Sequence, residues 1–440
     1  MSYEAIVARI HTRPHPKADR LQLGSVCGHQ VVVGLDTQDG ELGVFFPTDG
    51  QLSEQMVQTN GLYSKSALDK LGLLYTENHK FGFFSERRRV RAQSFRGEKS
   101  DGFWCPISYF AWTDATRDDY MGGFLFSPKE GDTLTELNGW AICNKYETPA
   151  TKHAQSNKIG RRQRENKCFP KHDVTQRYQY VSDKIPTDAV IYITEKLHGT
   201  SGRFGRVLDD QELPGWKSFL NAYLGCHFSP RREWTYLNGS KNVILEKTTG
   251  AGYYGTNDFR YKAIEHIMLR KGEVIYFEIV GDYEAGKPLM GAQPIKDELK
   301  DIRKQYGELM QYRYGQASGT CDIYVYKILY VNEDGEAYDA SWQHVKQRCK
   351  ELGLKHVPEL GYVMPGLVNN DYWHEHITRT IEPLTEGSST LDSSHIREGV
   401  VLRVESSEGI DYIKNKSFTF GVLEGYIKDS DSYVDTEEAS

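Results

Sequence analysis

The sequence predicts an α+β protein with a smaller β-rich domain at the N-terminus and a larger domain that mixes strands and helices. The chain has 440 residues, which exceeds the usual size of a single hydrophobic core. Short apolar runs separated by Gly, Asp and Asn fill residues 1–145, and longer strand and helix patterns occupy residues 171–440. Between them, residues 146–170 are polar and basic, so we expect a linker there.

In the first domain, three short segments are rich in residues that favour strands. They are Gln30–Gly34, Gly43–Phe46 and Arg89–Ala92. Many short strands in a segment of this length are typical of a small β-barrel.

The larger domain contains apolar runs long enough for buried strands and two stretches with helical spacing. The predicted strands are Val190–Thr194, Val274–Val280, Asp322–Val331, Gly399–Val404 and Asp411–Lys416, and the predicted helices are Phe259–Leu269 and Ser341–Leu352. This mixture predicts antiparallel sheets packed with helices. We expect the acidic end, Asp429–Ser440, to be a frayed tail.

Composition excludes several classes of protein. No run of about 18 apolar residues is present, so we expect no membrane segment. The N-terminus has no apolar signal core, and the seven cysteines include no C-x-x-C pair, which argues against secretion, a disulfide framework and a structural zinc site. We expect a monomer in the cytoplasm, or in the nucleus of a eukaryote.

Basic character is local, because the net charge of the whole chain is −7. Arginine and lysine concentrate in Ser85–Lys99 and Lys158–Lys171. Such clusters either follow a phosphate backbone or form a solvated face, and the sequence leaves both interpretations open.

The segment EKLHGTS (195–201) places a lysine, Lys196, at the end of a predicted strand and before a glycine turn. This position presents the amine to a cleft, and a lysine amine becomes a nucleophile when its surroundings remove its proton. An ordinary surface turn is the alternative interpretation.

Further polar residues occur in apolar strands. Glu278 and Glu398 lie in or beside such strands, where a carboxylate is costly to bury unless it binds something. Lys414 and Lys416 are two residues apart and therefore share one face of a strand, which suits a polyanion such as a triphosphate. Structural ion pairs and a solvated strand edge are the alternatives.

These segments together resemble the covalent nucleotidyltransferase superfamily of ligases and capping enzymes. The five motifs, in family order, are EKLHGTS (195–201), YFEIVG (276–281), IYVYKI (323–328), EGVVLRV (398–404) and IKNKS (413–417). The histidine in the first motif and the upstream phrase FPKHDVTQRYQ (169–179) resemble the RNA-ligase branch. The resemblance covers about residues 165–428 and implies a nucleotidyltransferase (ligase adenylation) domain.

The front of the chain resembles the N-terminal OB-like β-barrel of the Naegleria-type RNA ligases and, more loosely, tRNA-binding OB modules. The residues that carry this similarity are HPKADRLQLGSVCGHQVVVG (15–34) and RRVRAQSFRGEKSDGFWCP (88–106). An OB domain before the transferase domain is the order of the Naegleria-type enzymes, and OB folds bind nucleic acids.

The resemblance implies roles for the residues that match the motifs. Lys196 would form a phosphoamide with AMP, and Lys414 and Lys416 would contact the α-phosphate. Arg177 would bind nucleotide phosphate or the nucleic-acid end.

The remaining motif residues would hold the base and a metal ion. Glu195 would line the adenine pocket, chiefly through its backbone, and Tyr326 would stack on adenine, with Tyr324 as the alternative. Glu278 and Glu398 would hold Mg²⁺ or Mn²⁺, directly or through waters, or touch the ribose.

Two positions depart from the family pattern or leave a choice open. Ser201, expected to bind nucleotide, stands where related ligases often have asparagine. The early basic residue that contacts nucleotide is either Arg203 or Lys241.

The implied activity is an ATP-dependent RNA ligase that seals 3′-hydroxyl and 5′-phosphate RNA ends. Its implied partners are ATP, a divalent metal, and RNA ends or a nicked duplex with RNA on the 3′-hydroxyl side. A GTP-dependent capping guanylyltransferase and a catalytically inactive nucleic-acid-binding protein are the alternatives. The intact set of lysines and glutamates argues against the inactive protein.

Overall fold

The computed structural model describes residues 3–428, apart from 78, 115–127, 149–150, 152–163, 211–215, 217–218, 220–222, 225–230, 246–253, 297–298 and 367. The chain divides into two compact units. The first contains Met1–Thr148 and Gly421–Ser430, and the second contains Pro149–Phe420 and Asp431–Ser440. Most of the predicted linker, part of the second basic cluster and the acidic tail lie outside the described residues.

The first unit is built on a curled antiparallel sheet. In spatial order its strands are His29–Gly34, Leu21–Val26, Ala5–Pro14, Glu41–Phe46 and Phe103–Pro106, and Thr133–Leu134 also pairs with Ala5–Pro14. The long strand curls because its first half pairs with Glu41–Phe46 while its second half pairs with Leu21–Val26. This half-barrel confirms the β-rich N-terminal fold.

Both faces of the half-barrel are buried. Ala5 and Val7 belong to one apolar cluster, and Ala8 and Ile10 to another, as the two-residue period of a strand requires. The helices Glu54–Thr59 and Lys65–Leu71 contribute to the first cluster. Shorter elements are the strands Gly50–Leu52, Ala92–Phe95, Glu98–Asp101, Glu136–Leu137, Trp140–Ala141 and Cys143–Lys145, and a 3₁₀ helix at Ile107–Asp114.

The predicted strand Arg89–Ala92 is wrong. Arg89 forms only an isolated bridge with Gln51, and a regular strand begins at Ala92. The preceding Arg88 has a φ of 55°, which interrupts extended backbone. The buried Arg89 side chain binds Asp49 at 3.2 Å instead of following the alternation of a strand.

The second unit contains two main sheets. The five-stranded sheet has the order Gln176–Arg177, Gly409–Lys416, Gly399–Ser406, Val190–Lys196 and Glu359–Val363. The eight-stranded sheet has the order Ile244–Leu245, Arg232–Ser240, Thr200–Asp210, Glu273–Glu284, Cys321–Val331 and Ala337–Asp339, with Lys287–Pro288 and Lys355–His356 at its sides. A small pair joins Gln293–Pro294 and Leu309–Met310. These sheets confirm the predicted α+β architecture, and most of their strand pairs are antiparallel.

The second unit also contains helices. They are Tyr178–Val181, Asp258–Ile264, Lys300–Tyr306, Trp342–Leu352 and Trp373–Thr385, with 3₁₀ turns at Ser182–Lys184 and Asn370–Tyr372. A last helix, Phe418–Lys428, begins in the second unit, and its residues from Gly421 onward belong to the first. Ser341 caps the predicted helix by accepting the N–H of His344. The other predicted helix ends at Ile264, and the next residues alternate as extended chain does: Ile267 and Leu269 are buried while Met268 is exposed.

The chain passes from the five-stranded sheet to the eight-stranded sheet through residues 197–199. Lys196 ends a strand of the first sheet, and Thr200 begins a strand of the second. Among the residues that the structure describes, no helix combines the length and apolar character needed to cross a membrane.

Candidate active site

Packing fixes the crossover turn between the two sheets. A Cβ at Gly199 would lie 2.2 Å from the carbonyl oxygen of Ile279, so the turn fits against that strand only with glycine. The backbone N–H of Gly199 donates to Glu278 Oε1 at 3.1 Å, and that of His198 donates to the Tyr314 hydroxyl at 2.6 Å. The turn therefore holds the preceding lysine in one place.

Lys196 faces a buried carboxylate. Its Nζ lies 2.7 Å from Glu398 Oε2, and the Nζ of Lys416 lies 3.2 Å from Oε1 of the same residue. His198 Nδ1 is 3.6 Å from Oε2. Burial alone would raise the pKa of Glu398, but Lys196, Lys416 and His198 hold that pKa well below its usual range. Glu398 is thus an anion held between two lysines.

Strand register explains how these groups meet. Lys196 pairs with Gly399, which pairs in turn with Lys416, so the two lysines lie in one row across three strands. Glu398 directly precedes Gly399. Two rows farther along, Lys414 is aligned with Arg177 of the short parallel strand.

Lys414 lies among other cations. Burial and the positive charges of Lys416, Lys196, Arg177 and Lys241 together lower the pKa of Lys414 to about 7. A group of like charges around one half-buried amine is unfavourable by itself, and an anion such as a phosphate would relieve it. The site therefore has the electrostatics of a polyphosphate cradle.

Glu278 binds the crossover turn at Gly199 and the start of the strand Thr200–Asp210 at Ser201. Its Oε2 accepts the hydroxyl of Ser201 at 3.0 Å, in addition to the bond from Gly199. Sequence reasoning missed Arg260, which is buried and donates to the Ser201 carbonyl at 3.0 Å and to Thr200 Oγ1 at 2.7 Å. Its helix was predicted from apolar spacing, which carries no signal for a buried arginine.

The Glu195 side chain anchors the segment that leads to Glu398. It is 1% exposed, and its Oε2 accepts both the N–H and the hydroxyl of Thr390 at 2.9 and 2.6 Å. Its backbone N–H donates to the Pro358 carbonyl at 2.8 Å. Its predicted contact with adenine stays a prediction.

The structure separates the two candidates for the early basic residue. Lys241 is one of the charges that act on Lys414. Arg203 is 1% exposed and donates to the Phe169 carbonyl at 3.3 Å, with its guanidinium 4.6 Å from the Phe169 ring centre, and burial lowers its pKa to about 10. This placement favours Lys241 for contact with phosphate.

The two candidate stacking tyrosines have different neighbours. The Tyr326 hydroxyl lies 2.6 Å from His172 Nδ1, and the ring packs against the cluster that includes Phe169. Tyr324 is paired with Glu278 across the strands, and the amine of Lys355 lies 5.6 Å from its ring centre. His172 was not singled out from the sequence, although it lies in the upstream phrase.

Glu278 and Glu398 would supply only some of the ligands of a divalent metal. Within the described ranges, no three His, Cys, Asp or Glu side chains form a group that could bind a metal. Glu278 already accepts two protein donors, and Glu398 faces two lysines. Magnesium commonly binds one or two carboxylates together with phosphate oxygens and waters, and the residues fit that arrangement.

Most of the second unit matches the model of a known protein family. The family model for RNA ligase matches residues 189–418. The comparison with curated protein sequences gives no match.

Solved structures of Naegleria gruberi RNA ligase share the fold of the whole chain. The protein with PPi has 18% identity and a TM-score of 0.57, and the match covers 97% of this chain and 99% of that one. A mutant with ATP and Mn has 18% identity and a TM-score of 0.56 at coverages of 97% and 99%. A mutant with AMP and Mn has 17% identity and a TM-score of 0.56 at coverages of 98% and 99%.

Proposed function

The chain belongs to the RNA ligase family, and from that premise we propose that it seals RNA ends with ATP and carries AMP on Lys196. The observation that carries the proposal is the Lys196 amine, 2.7 Å from the buried Glu398 carboxylate and close to the charges of Lys414 and Lys416. Family membership favours this activity over the capping enzyme and the inactive binding protein.

The proposed reaction has three steps, in which AMP is transferred to Lys196, then to the RNA 5′-phosphate, and is finally released. The neutral Lys196 amine attacks the α-phosphorus of ATP, a nitrogen–phosphorus bond forms, and the bond to pyrophosphate breaks. A 5′-phosphate oxygen of RNA then displaces the lysine and takes AMP. Finally a 3′-hydroxyl attacks the activated 5′-phosphate and AMP leaves.

The residues around Lys196 have separate tasks in this scheme. Glu398 holds the Lys196 amine in position for the attack through their contact of 2.7 Å, and the proton that the amine loses beforehand passes to solvent. Lys414, Lys416, Arg177 and Lys241 provide positive charge for the phosphates.

Glu278 and the two tyrosines have further proposed roles, in holding the turn, the metal ion and the adenine ring. Glu278 holds the crossover turn through Gly199 and Ser201. A bound Mg²⁺ or Mn²⁺ would neutralise charge on the phosphates, with Glu278 or Glu398 as its protein ligand. Tyr326 or Tyr324 would provide the face for the adenine ring.

The finer substrate preference is also a proposal. We expect RNA on the 3′-hydroxyl side of the junction, because His198 and the phrase 169–179 resemble RNA ligases. We further propose that the domains divide at 1–145, 146–170 and 171–440, with the N-terminal OB-like domain accessory to the chemistry of the larger one.

Transfer of label from ATP to the protein tests the assignment of Lys196. The purified full chain, incubated with α-labelled ATP and Mg²⁺ or Mn²⁺, should retain the label through denaturation, whereas α-labelled GTP should leave it unlabelled. Lys196→Ala should abolish labelling because no amine remains to attack.

The matched control is Lys350→Ala. Lys350 is an exposed lysine in the last turn of its helix, so this variant should label like the wild type. Labelled AMP on the Lys196→Ala protein would contradict the assignment. Labelling by GTP alone would instead favour the capping enzyme.

A further inference from the structure

A group of aromatic side chains lies on the surface of the first unit. Tyr75, Phe81 and Phe83 are 36%, 42% and 40% exposed. Tyr75 and Phe81 meet edge to face with ring centres 5.1 Å apart, and His79 lies 5.2 Å from Phe81. Exposed aromatic rings that contact one another are unusual on a solvated face and mark an interaction surface.

The aromatic surface continues onto a basic hairpin. Phe83 lies 5.8 Å from Phe95, which ends the strand Ala92–Phe95 of the hairpin with Glu98–Asp101. The turn of that hairpin is Arg96 and Gly97, and Arg96 is exposed at a φ of 54°. An exposed arginine is therefore presented at the tip of the hairpin, beside the aromatic rings.

The loop after the long first strand packs against the same hairpin. His15 is buried, with its Nε2 3.2 Å from the Phe95 carbonyl oxygen, and its Nδ1 accepts the backbone N–H of Lys17 at 3.0 Å. The Lys17 amine would lie 3.4 Å from a Cβ placed on Gly97. The Lys17 amine therefore lies at the hairpin turn that Arg96 and Gly97 form.

The basic residues of this loop and hairpin outnumber the acidic ones. Exposed cations of the loop and hairpin are Arg13, Lys17, Arg20, Arg96 and Lys99, and the carboxylates are Asp19, Glu98 and Asp101, the last of which contacts His29 at 2.7 Å. Exposed cations of the loop and hairpin therefore lie beside the exposed aromatic group of Tyr75, Phe81 and Phe83. Proteins bind single-stranded nucleic acid in this way, with backbone phosphates along the cations and unpaired bases stacked on the rings.

We propose that Tyr75, Phe81, Phe83, Lys17 and Arg96 form a binding surface for single-stranded RNA. The surface lies wholly within the first unit, so it is additional to the residues around Lys196. Taking RNA as the partner rests on the proposed function, whereas the surface itself rests on the exposed rings and cations. Duplex RNA would bind it poorly, because paired bases do not offer their faces.

The test measures RNA binding and protein adenylylation on the same full-length variants. A fluorescent single-stranded RNA is titrated with wild type, Phe81→Ala and a Lys17→Glu, Arg96→Asn double variant. Asparagine is chosen at 96 because it tolerates positive φ. Loss of one stacking ring should weaken binding roughly tenfold, and the charge variant should also weaken binding and reduce its salt dependence.

The control variant is Tyr338→Ala, which removes an aromatic ring that is 61% exposed in the second unit. It should bind RNA like the wild type. Label transfer from ATP should be equal in all four proteins, so failure of this surface is distinguishable from failure of the proposed chemistry. The double variant alters no aromatic ring and keeps the test decisive even if Phe81→Ala folds poorly.

Three outcomes would overturn the proposal. The first is unchanged affinity for single-stranded RNA in both variants. The second is equal binding of a blunt RNA duplex and a single strand by the wild type. The third is unchanged RNA binding together with a wild-type oligomer, seen by light scattering, that Phe81→Ala dissociates, because the rings would then be a protein interface.

Discussion

Raising the pH should weaken ATP binding through a single residue, Lys414. Its pKa is lowered to about 7 by burial and by the neighbouring lysines and arginine. Near pH 7 this amine is therefore charged in only about half of the molecules. A bound triphosphate favours the charged amine and raises its pKa, so ATP binding takes up a proton.

The sign and size of the effect follow from this difference. Below pH 7 the amine is already charged in the free protein, and this group adds no pH dependence. Above pH 7 the charged fraction falls tenfold per pH unit, so ATP affinity should fall by up to about 1.4 kcal/mol per unit until the pKa of the complex is reached.

Calorimetry measures both the affinity and the proton uptake. ATP is titrated into the protein between about pH 6 and pH 9, in two buffers with different ionisation enthalpies. Lys414→Arg keeps a positive charge throughout this range, so its profile should retain only the titration of ATP itself. Lys350→Ala, which alters an exposed lysine in the last turn of the helix Trp342–Leu352, should keep the wild-type slope. Equal slopes for wild type and Lys414→Arg would refute the reasoning.

Two further predictions concern stability and substrate choice. Arg348→Met should lower the free energy of unfolding by about 3–5 kcal/mol in urea denaturation, because Glu273, 0% exposed and bonded to Arg348 at 2.7 and 2.8 Å, would lose its partner. Arg270→Met, which breaks an exposed pair with Glu351, should cost at most about 1 kcal/mol, and equal losses would contradict the argument. Nicked duplexes that differ only in the 3′-terminal sugar should be sealed roughly tenfold to hundredfold faster with ribose, the rate equivalent of about 1–3 kcal/mol for one unpaired buried polar group. Equal rates would reject the RNA preference.

Local sequence patterns predicted the strands that carry the site. The apolar runs Val190–Thr194 and Gly399–Val404 form strands as predicted, and the structure extends them by two residues each. The helix Trp373–Thr385 was missed although Trp373, Ile377 and Ile381 are spaced for one buried face. Its internal Pro383 and its polar composition hide that signal.

Contacts between distant parts of the chain could not be predicted in this way. Glu195 and Thr390 are 195 residues apart, and a single sequence carries no record of their hydrogen bonds. The same holds for Arg260 and Thr200, because burial of a charged side chain depends on the partner that the fold supplies. The roles of Lys196, Glu398 and the other motif residues stay predictions until they are measured.

The bond between Glu195 and Thr390 has a mechanical consequence. Glu195 adjoins Lys196 on its strand, and Thr390 lies in the segment that ends at Glu398. The segment from Thr390 to Glu398 and the strand that bears Lys196 are therefore joined at two points, by the Glu195–Thr390 hydrogen bonds and by the Lys196–Glu398 ion pair. A displacement of the segment would also displace the Lys196 amine relative to the rest of the site. A substitution at Thr390 that removes these hydrogen bonds should therefore alter the position of the Lys196 amine, although Thr390 has no hydrogen bond to Lys196 or Glu398 among the contacts described.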